Sequence, residues 1–368
     1  MQIKTTKLQE MVSKAVKGVG ANKLVPLTEM IAIKLDSEVL TITSTDINNY
    51  LNVTANVEGD DFYAVIYADQ FSKLIARTTS EDVELTVVDR ELKIKGNGEH
   101  AVPVILDDET GNMLDYPDPS KEFNREHRIG SISADVLRTI LSEIKPSVAT
   151  TVEIPQYTNY YVGEFVMATD TYKIGWLDSK VFDEPKLISV PTMDLLEVLM
   201  ADTPIEVFES NGKLLFISES GTLYAPSMPG IDTYQVERIM DYIQQSYPCK
   251  CKLPKLEVLQ LLDRLSLFVD INDNGAVSIA FGKDGVTIAS QQSNSVEVVP
   301  YLSCEDFADS QGVMYLDMFR AQAKAQTGDA LELHFGDGKS LKLVDSVTKV
   351  TSIVCLASKA TSTVSSAS

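Results

Sequence analysis

One arrangement of elements occurs three times along this chain, and it constrains the fold more than any single motif does. The stretches FYAVIYADQFSKLIARTTSEDVELTVVDRELKIKG from Phe62, KLISVPTMDLLEVLMADTPIEVFESNGKLLFISESG from Lys186 and GVMYLDMFRAQAKAQTGDALELHFGDGKSLKLVD from Gly312 each read strand, short helix, strand, turn, strand. Their helices begin at Ala68, Pro191 and Leu316, 123 and 125 positions apart. In each copy an apolar stretch of period 3.6 gives way to period-2 strands split by polar turns such as DR and NG. A repeat of this length is domain-sized, so the chain reads as a row of similar domains.

The repeat extends upstream. LTITSTDINNYLNV (40–53) and FVMATDTYKIGWLD (165–178) each alternate apolar and polar residues up to a Thr-Asp pair, then resume, with Asp46 and Asp170 124 positions apart. A further helical stretch precedes each copy: TTKLQEMVSKAVKGVG, SADVLRTILSEIKPS and KLEVLQLLDRLSLFV. Each repeat thus holds two strand-helix-strand halves. The polar, Pro-containing segments 107–127 and 241–250 interrupt the pattern and place boundaries near 122 and 245. The expected domains are 1–122, 123–245 and 246–357, followed by a small, polar, aperiodic tail at 358–368 that reads as disordered.

Little in the sequence points to catalysis. FGDGKSL (335–341) lacks the first glycine of a phosphate loop and lies between strand patterns, so it reads as a hairpin turn. DINDNG (270–275) opens like a calcium loop, but Phe281 stands where the closing glutamate belongs. His100, His127 and His334 share no carboxylate or metal spacing, and Cys249, Cys251, Cys304 and Cys355 offer no zinc pattern and read as reduced structural thiols. No cofactor or metal is expected. The absence of a long apolar run and of a signal-peptide pattern argues for a cytoplasmic protein with no membrane partner.

Charge is unevenly distributed. The chain carries a net −21, yet the six helical stretches sum to +1, leaving about −22 elsewhere. Lys7, Lys14, Lys17, Lys73, Arg77, Arg138, Lys145, Lys255, Arg264, Arg320 and Lys324 all lie on them. If the helices share a face, that face approaches a polyanion without gripping it, although the stretch 193–202 carries −3.

The repeats, the helix pairs, the acidic composition and the strand-ATD-strand element together resemble the bacterial DNA sliding clamp family, the beta subunit of DNA polymerase III. The resemblance runs over nearly the whole chain and includes MQIKTTKLQEMVSKAV, LTITSTD, VMATDTYKIGWL and the terminal strand TSIVCLA. It implies an α+β DNA clamp fold of three tandem repeats, each with two helices backed by antiparallel sheets, two protomers closing head to tail into a six-domain homodimer ring, and helices lining a hole that holds duplex DNA without sequence preference. Lys23, in the loop after the first helix, would join the helical cations there. Leu267 and Phe268 would meet Val104 and Ile105 of the partner.

The resemblance also implies a pocket for short apolar peptides from DNA polymerase and the clamp loader. Its first wall would be Thr169, Thr171, Tyr172, Lys173 and Ile174, where TYKI replaces the family's usual Gly-His-Arg-Leu. GIDTYQVERI replaces the usual Phe-Pro-Asp-Tyr element, offering Ile231, Tyr234, Val236 and Ile239, and CLAS replaces Met-Pro-Met-Arg, with Ile353, Cys355, Leu356 and Ala357 as an apolar floor. Ile174, Val236, Ile353 and Leu356 are expected to converge, with Tyr172 and Lys173 at the rim. Divergence of this kind suits a phage or mobile-element clamp. The competing reading is a repeat-built interaction scaffold that does not encircle DNA.

Overall fold

The structure is a computed structural model that describes residues 1–20, 24–269, 275–305, 309–336 and 338–357. Lys23, residues 270–274 of DINDNG, Asp337 of FGDGKSL and the tail 358–368 lie outside the described residues. By proximity the chain forms two compact units, Met1–Leu137 with Pro191–Ser227, and Arg138–Val190 with Met228–Ser368. The second repeat contributes strands to both.

The first unit is built on an eight-stranded antiparallel sheet in the order Phe62–Tyr67, Met30–Asp36, Val39–Thr45, Tyr50–Asn56, Gly221–Pro226, Lys213–Ser218, Ile205–Ser210, Arg128–Ile132. The first and second repeats join where Tyr50–Asn56 pairs with Gly221–Pro226, Leu51 opposite Leu223. Gly221 opens that junction at φ 149°, and a Cβ there would stand 1.9 Å from the Asn52 carbonyl oxygen, so only glycine permits the approach. Helix α1 (Thr5–Ala15) buries Leu8, Met11, Val12 and Ala15, spaced to face the core once per turn. It packs on helix α2 (Ala68–Arg77), where the carbonyls of Ile75 and of the capping residue Thr78 accept both N–H bonds of the Gln9 amide at 2.9 Å. A four-stranded sheet, Gln2–Lys4, Asp82–Val88, Glu91–Lys95, Glu99–Pro103, completes the unit. The 107–127 segment read as a linker is anchored by buried Tyr116, whose hydroxyl donates to the Met30 carbonyl at 3.0 Å.

The second unit has a nine-stranded sheet: Lys186–Ser189, Asn159–Val162, Val166–Thr169, Lys173–Leu177, Thr351–Cys355, Ser340–Val344, Ala330–Phe335, Cys249–Pro254, Ser303–Glu305. Here the second repeat meets the third, with Ile174 opposite Ile353. A four-stranded sheet runs Val296–Pro300, Gly285–Ser290, Ala276–Phe281, Ser310–Tyr315.

The remaining helices are α3 (Ala134–Thr139), α4 (Val190–Leu196), α5 (Val236–Gln244), α6 (Lys255–Leu265) and α7 (Leu316–Ala325). Val258, Leu261, Leu262 and Leu265 give α6 the same buried stripe as α1. After α3 the chain makes a π-helical turn, Ile140–Ile144, that turns Glu143 inward. Its fully buried carboxylate accepts hydrogen bonds from the Thr327 and Thr348 hydroxyls, both at 2.9 Å, and burial holds its pKa above the ordinary carboxylate range. No helix among the described residues is long and apolar enough to cross a membrane.

Candidate functional site

The two Thr-Asp pairs build the same turn. In the first, the Thr45 hydroxyl donates to the Asn49 carbonyl at 2.8 Å and accepts from the Ile47 amide at 2.9 Å, while Asp46 Oδ1 accepts from the amides of Asn48 (3.0 Å) and Asn49 (2.7 Å). In the second, Thr169 donates to the Lys173 carbonyl at 2.7 Å and accepts from the Thr171 amide at 3.1 Å, and Asp170 Oδ1 accepts from Tyr172 (2.9 Å) and Lys173 (2.7 Å). Hydroxyl and carboxylate satisfy the amides that the interrupted ladder leaves unpaired. Each turn forces a β-branched residue into the left-handed region, Ile47 at φ 87° and Thr171 at φ 78°. Because both copies share it, this strain belongs to the repeat rather than to one site.

Beyond the second turn lies an apolar cluster. Tyr157, Tyr161, Met167, Ile174, Leu187, Tyr234, Ile239, Ile243 and Ile353 pack together, with Ile231, Val236 and Met240 partly buried against them. Tyr234 sits edge-on to Tyr157 at 5.0 Å between centroids and tilted on Tyr161 at 5.4 Å. Its hydroxyl is buried without a hydrogen-bond partner, and burial among the other two phenols raises its pKa. The turn that brings Tyr234 in begins at Gly230, φ 100°, whose carbonyl accepts from the Thr233 amide and hydroxyl.

Of the anticipated pocket residues, Ile174, Tyr234, Val236, Ile239 and Ile353 therefore meet. Thr169 and Thr171 serve the turn. Tyr172 is exposed and lies edge-on to Tyr315 at 6.5 Å. Lys173 departs from the expected rim position: its side chain is 13% exposed, and its ammonium donates to the Pro146 carbonyl at 2.6 Å beside Asp170 at 3.2 Å. Leu356 does not join Ile174, Val236 and Ile353. The chain leaves the sheet after Cys355, Ala357 bridges to Val313, and Leu356 packs on the third repeat's core over Gly312, where any side chain would collide with it. Cys355 stays near the turn, its amide donating to the Tyr172 carbonyl at 2.8 Å.

Sequence reading missed α5, having taken 241–250 as linker. The signal was present, since Val236, Ile239, Met240 and Ile243 recur at i, i+3, i+4, i+7. Tyr157, Tyr161, Met167 and Leu187 were also missed, because period-2 strands reveal buried faces but not which faces share a cluster.

Most of the helical cations are paired. Lys7 and Lys14 share Glu10 at 3.3 and 2.7 Å, Lys73 meets Asp69 at 2.7 Å, Lys17 meets Glu197 at 3.6 Å, and Arg320 bridges Asp317 (2.6 Å) and Asp263 (3.2 Å). Arg264 binds Glu297 through its guanidinium. Lys14 and then Lys7 hold the Glu10 carboxyl below its ordinary range. Lys255, whose ammonium donates to the Gln326 carbonyl, Arg138 on α3, Lys145 just beyond the π turn, and Arg77 and Lys324 in the last turns of α2 and α7 complete the set.

Val296–Pro300 and Glu99–Pro103 are edge strands, each at one end of its four-stranded sheet. In the second unit Val296 and Val298 project from the edge strand at 56% and 59% exposure, near Leu302 in sequence, and Leu267 (79%) and Phe268 (50%) are also exposed. Val104 and Ile105 depart from expectation: Val104 is 6% exposed, and Ile105 packs among Tyr63, Leu27 and Leu114 with its amide bonded to Val65.

Residues 1–117 match the family described as DNA polymerase III beta subunit, N-terminal domain. No curated protein sequence matches the chain. Among solved structures it is similar to the DNA polymerase sliding clamp of Bacillus subtilis, at 18% identity and TM-score 0.80 over 97% of this chain and 98% of that one. The beta subunit from the DNA polymerase of Streptococcus pyogenes (14%, TM-score 0.83) and the DNA polymerase III subunit beta of Borrelia burgdorferi in complex with a natural product (16%, TM-score 0.83) each match over 97% of this chain and 99% of their own. The chain thus has the fold of the bacterial DNA sliding clamps over 97% of its length.

Proposed function

We propose that the protein is a non-catalytic processivity clamp of three domains, 1–122, 123–245 and 246–357, two copies of which encircle duplex DNA in the cytoplasm and tether a replicative polymerase. The observation that carries the reading is a pairing rule repeated along the chain. After each Thr-Asp turn, the next strand pairs with the last strand of the following repeat: Tyr50–Asn56 with Gly221–Pro226, then Lys173–Leu177 with Thr351–Cys355. In the third repeat the equivalent strand, Val296–Pro300, is an open edge, and so is the first repeat's last strand, Glu99–Pro103. Applying the rule once more pairs these two edges between chains.

A head-to-tail contact of this kind either closes or propagates, and two chains of three repeats close with six equivalent junctions. Val296, Val298, Leu267 and Phe268 supply the apolar surface that such a contact covers. The helices facing the DNA hold their cations largely within ion pairs, so attraction to phosphate is weak and the ring slides. The cluster around Ile174, Tyr234 and Ile353 receives apolar peptide segments of the polymerase and its loader, which need no cofactor. After loading, the protein is expected to persist on nicked circular DNA and to be lost from linear DNA of equal length. Equal retention on both would refute encirclement.

A further inference from the structure

The apolar cluster read above as the peptide site is packed by the protein's own chain. Helix α5 lays Val236, Ile239, Met240 and Ile243 against the cluster, Ile239 and Ile243 each 5% exposed, while Glu237, Arg238, Asp241 and Gln244 face solvent. Beneath it lie Ile174, fully buried Ile353 and the Tyr157, Tyr161 and Tyr234 rings. The apolar face of α5 thus covers part of the surface that an incoming apolar side chain would use.

The helix is uncapped at its N-terminus and held by a single cation at its C-terminus. Its N-cap, Gln235, makes no side-chain capping bond, and Pro248 lies just past its C-terminus. At the other end Lys342, neighbour of Ile353 across the sheet, donates from its ammonium to the Ile243 carbonyl at 2.7 Å, where the helix dipole favours a cation. A nine-residue helix is marginal in isolation, so α5 stays folded chiefly because its apolar face is covered.

We propose that α5 is an intramolecular lid on the peptide site, and that an apolar partner peptide binds by displacing its side chains from the cluster. The inference rests on reading that cluster as the peptide site. The apparent affinity then equals the intrinsic affinity multiplied by the fraction of molecules in which α5 has lifted. Solvent-facing substitutions that alter only helix propensity should therefore change peptide binding without touching the cluster.

The test uses the full-length dimer and a fluorescein-labelled aliphatic–aromatic hexapeptide, Gly-Gly-Leu-Ser-Leu-Phe, titrated by anisotropy against wild type, Asp241→Gly and Asp241→Ala. Glycine is a much poorer helix former than alanine, so Asp241→Gly should bind about five-fold more tightly than Asp241→Ala, with wild type between them. Hydrogen exchange of residues 236–244 should speed up on peptide addition. Equal affinities, with exchange unchanged or slowed, would overturn the lid and leave the peptide site standing, α5 then being a fixed wall. No binding by any of the three, with the dimer intact, would overturn both the lid and the site.

Discussion

At the scale of single residues, the Thr-Asp turn shows how much a short sequence specifies. Threonine and aspartate are the residues whose side chains bond amides two and three positions ahead, and they do so identically in two copies. The sequence does not reveal the φ of 78° at Thr171, a β-branched residue where the resembled family carries glycine. Thr171→Gly should raise stability by about 0.5–1 kcal/mol, relief of left-handed strain outweighing the entropy that glycine adds to the unfolded chain; urea unfolding measures it, and a loss of stability would show the turn to be unstrained. Glu143 was equally unreadable, since nothing in DVLRTILSEIK announces a π turn. Its folded pKa lies above the 4.5 of the free side chain, so charging it costs stability as pH rises from 4.5 towards the folded pKa, and the cost is complete above that. Glu143→Gln, able to accept from one threonine and donate to the other, should be the more stable protein at neutral pH by about 1 kcal/mol, with the gap closing below about pH 4.5. A variant less stable at every pH would mean that the ionised carboxylate stabilises the fold.

At the scale of elements, the paired helices were legible because their apolar residues recur every turn. Their electrostatics were only half legible: the sequence counts cations, but a carboxylate one turn away decides whether each is available. Glu10 holds two lysines and Asp69 a third. Exposed pairs of this sort contribute little to stability, so removing the acids should leave the helices folded while freeing cations for phosphate. Glu10→Gln combined with Asp69→Asn should steepen the salt dependence of binding to a short linear duplex by up to about 3 in the log–log slope, near one unit per released cation. An unchanged slope, measured by anisotropy across about 50 to 200 mM salt, would place α1 and α2 away from the DNA. Helix α5 was overlooked for a different reason. Its four apolar residues sit in a polar, Pro-flanked stretch, and only the facing sheet turns that pattern into a buried helix.

At the scale of the whole molecule, the open strands Val296–Pro300 and Glu99–Pro103 are the ends of a pairing rule satisfied twice within the chain. Phe268→Asp would bury a charge at the proposed contact without disturbing a core residue, as Phe268 is half exposed. Sedimentation should show folded monomers for this variant and dimers for wild type; dimers for both would move the interface elsewhere. Val104 and Ile105 are poorer targets, because they hold the first unit's own core.

The repeat period, the α+β class, the helix faces and the chemistry of the Thr-Asp turns were all set by local pattern, because periodicity and side-chain-to-backbone hydrogen bonding act over a few residues. Tertiary structure alone decided which strands became neighbours across 170 or more positions, as between Asn52 and Thr222 or Ile174 and Ile353. It also sent Leu356 to the third repeat's core, closed α5 over the aromatic cluster, and gave Lys173 a carbonyl partner. These outcomes depend on which buried faces compete for the same space, and a one-dimensional pattern marks a face as apolar without naming what covers it.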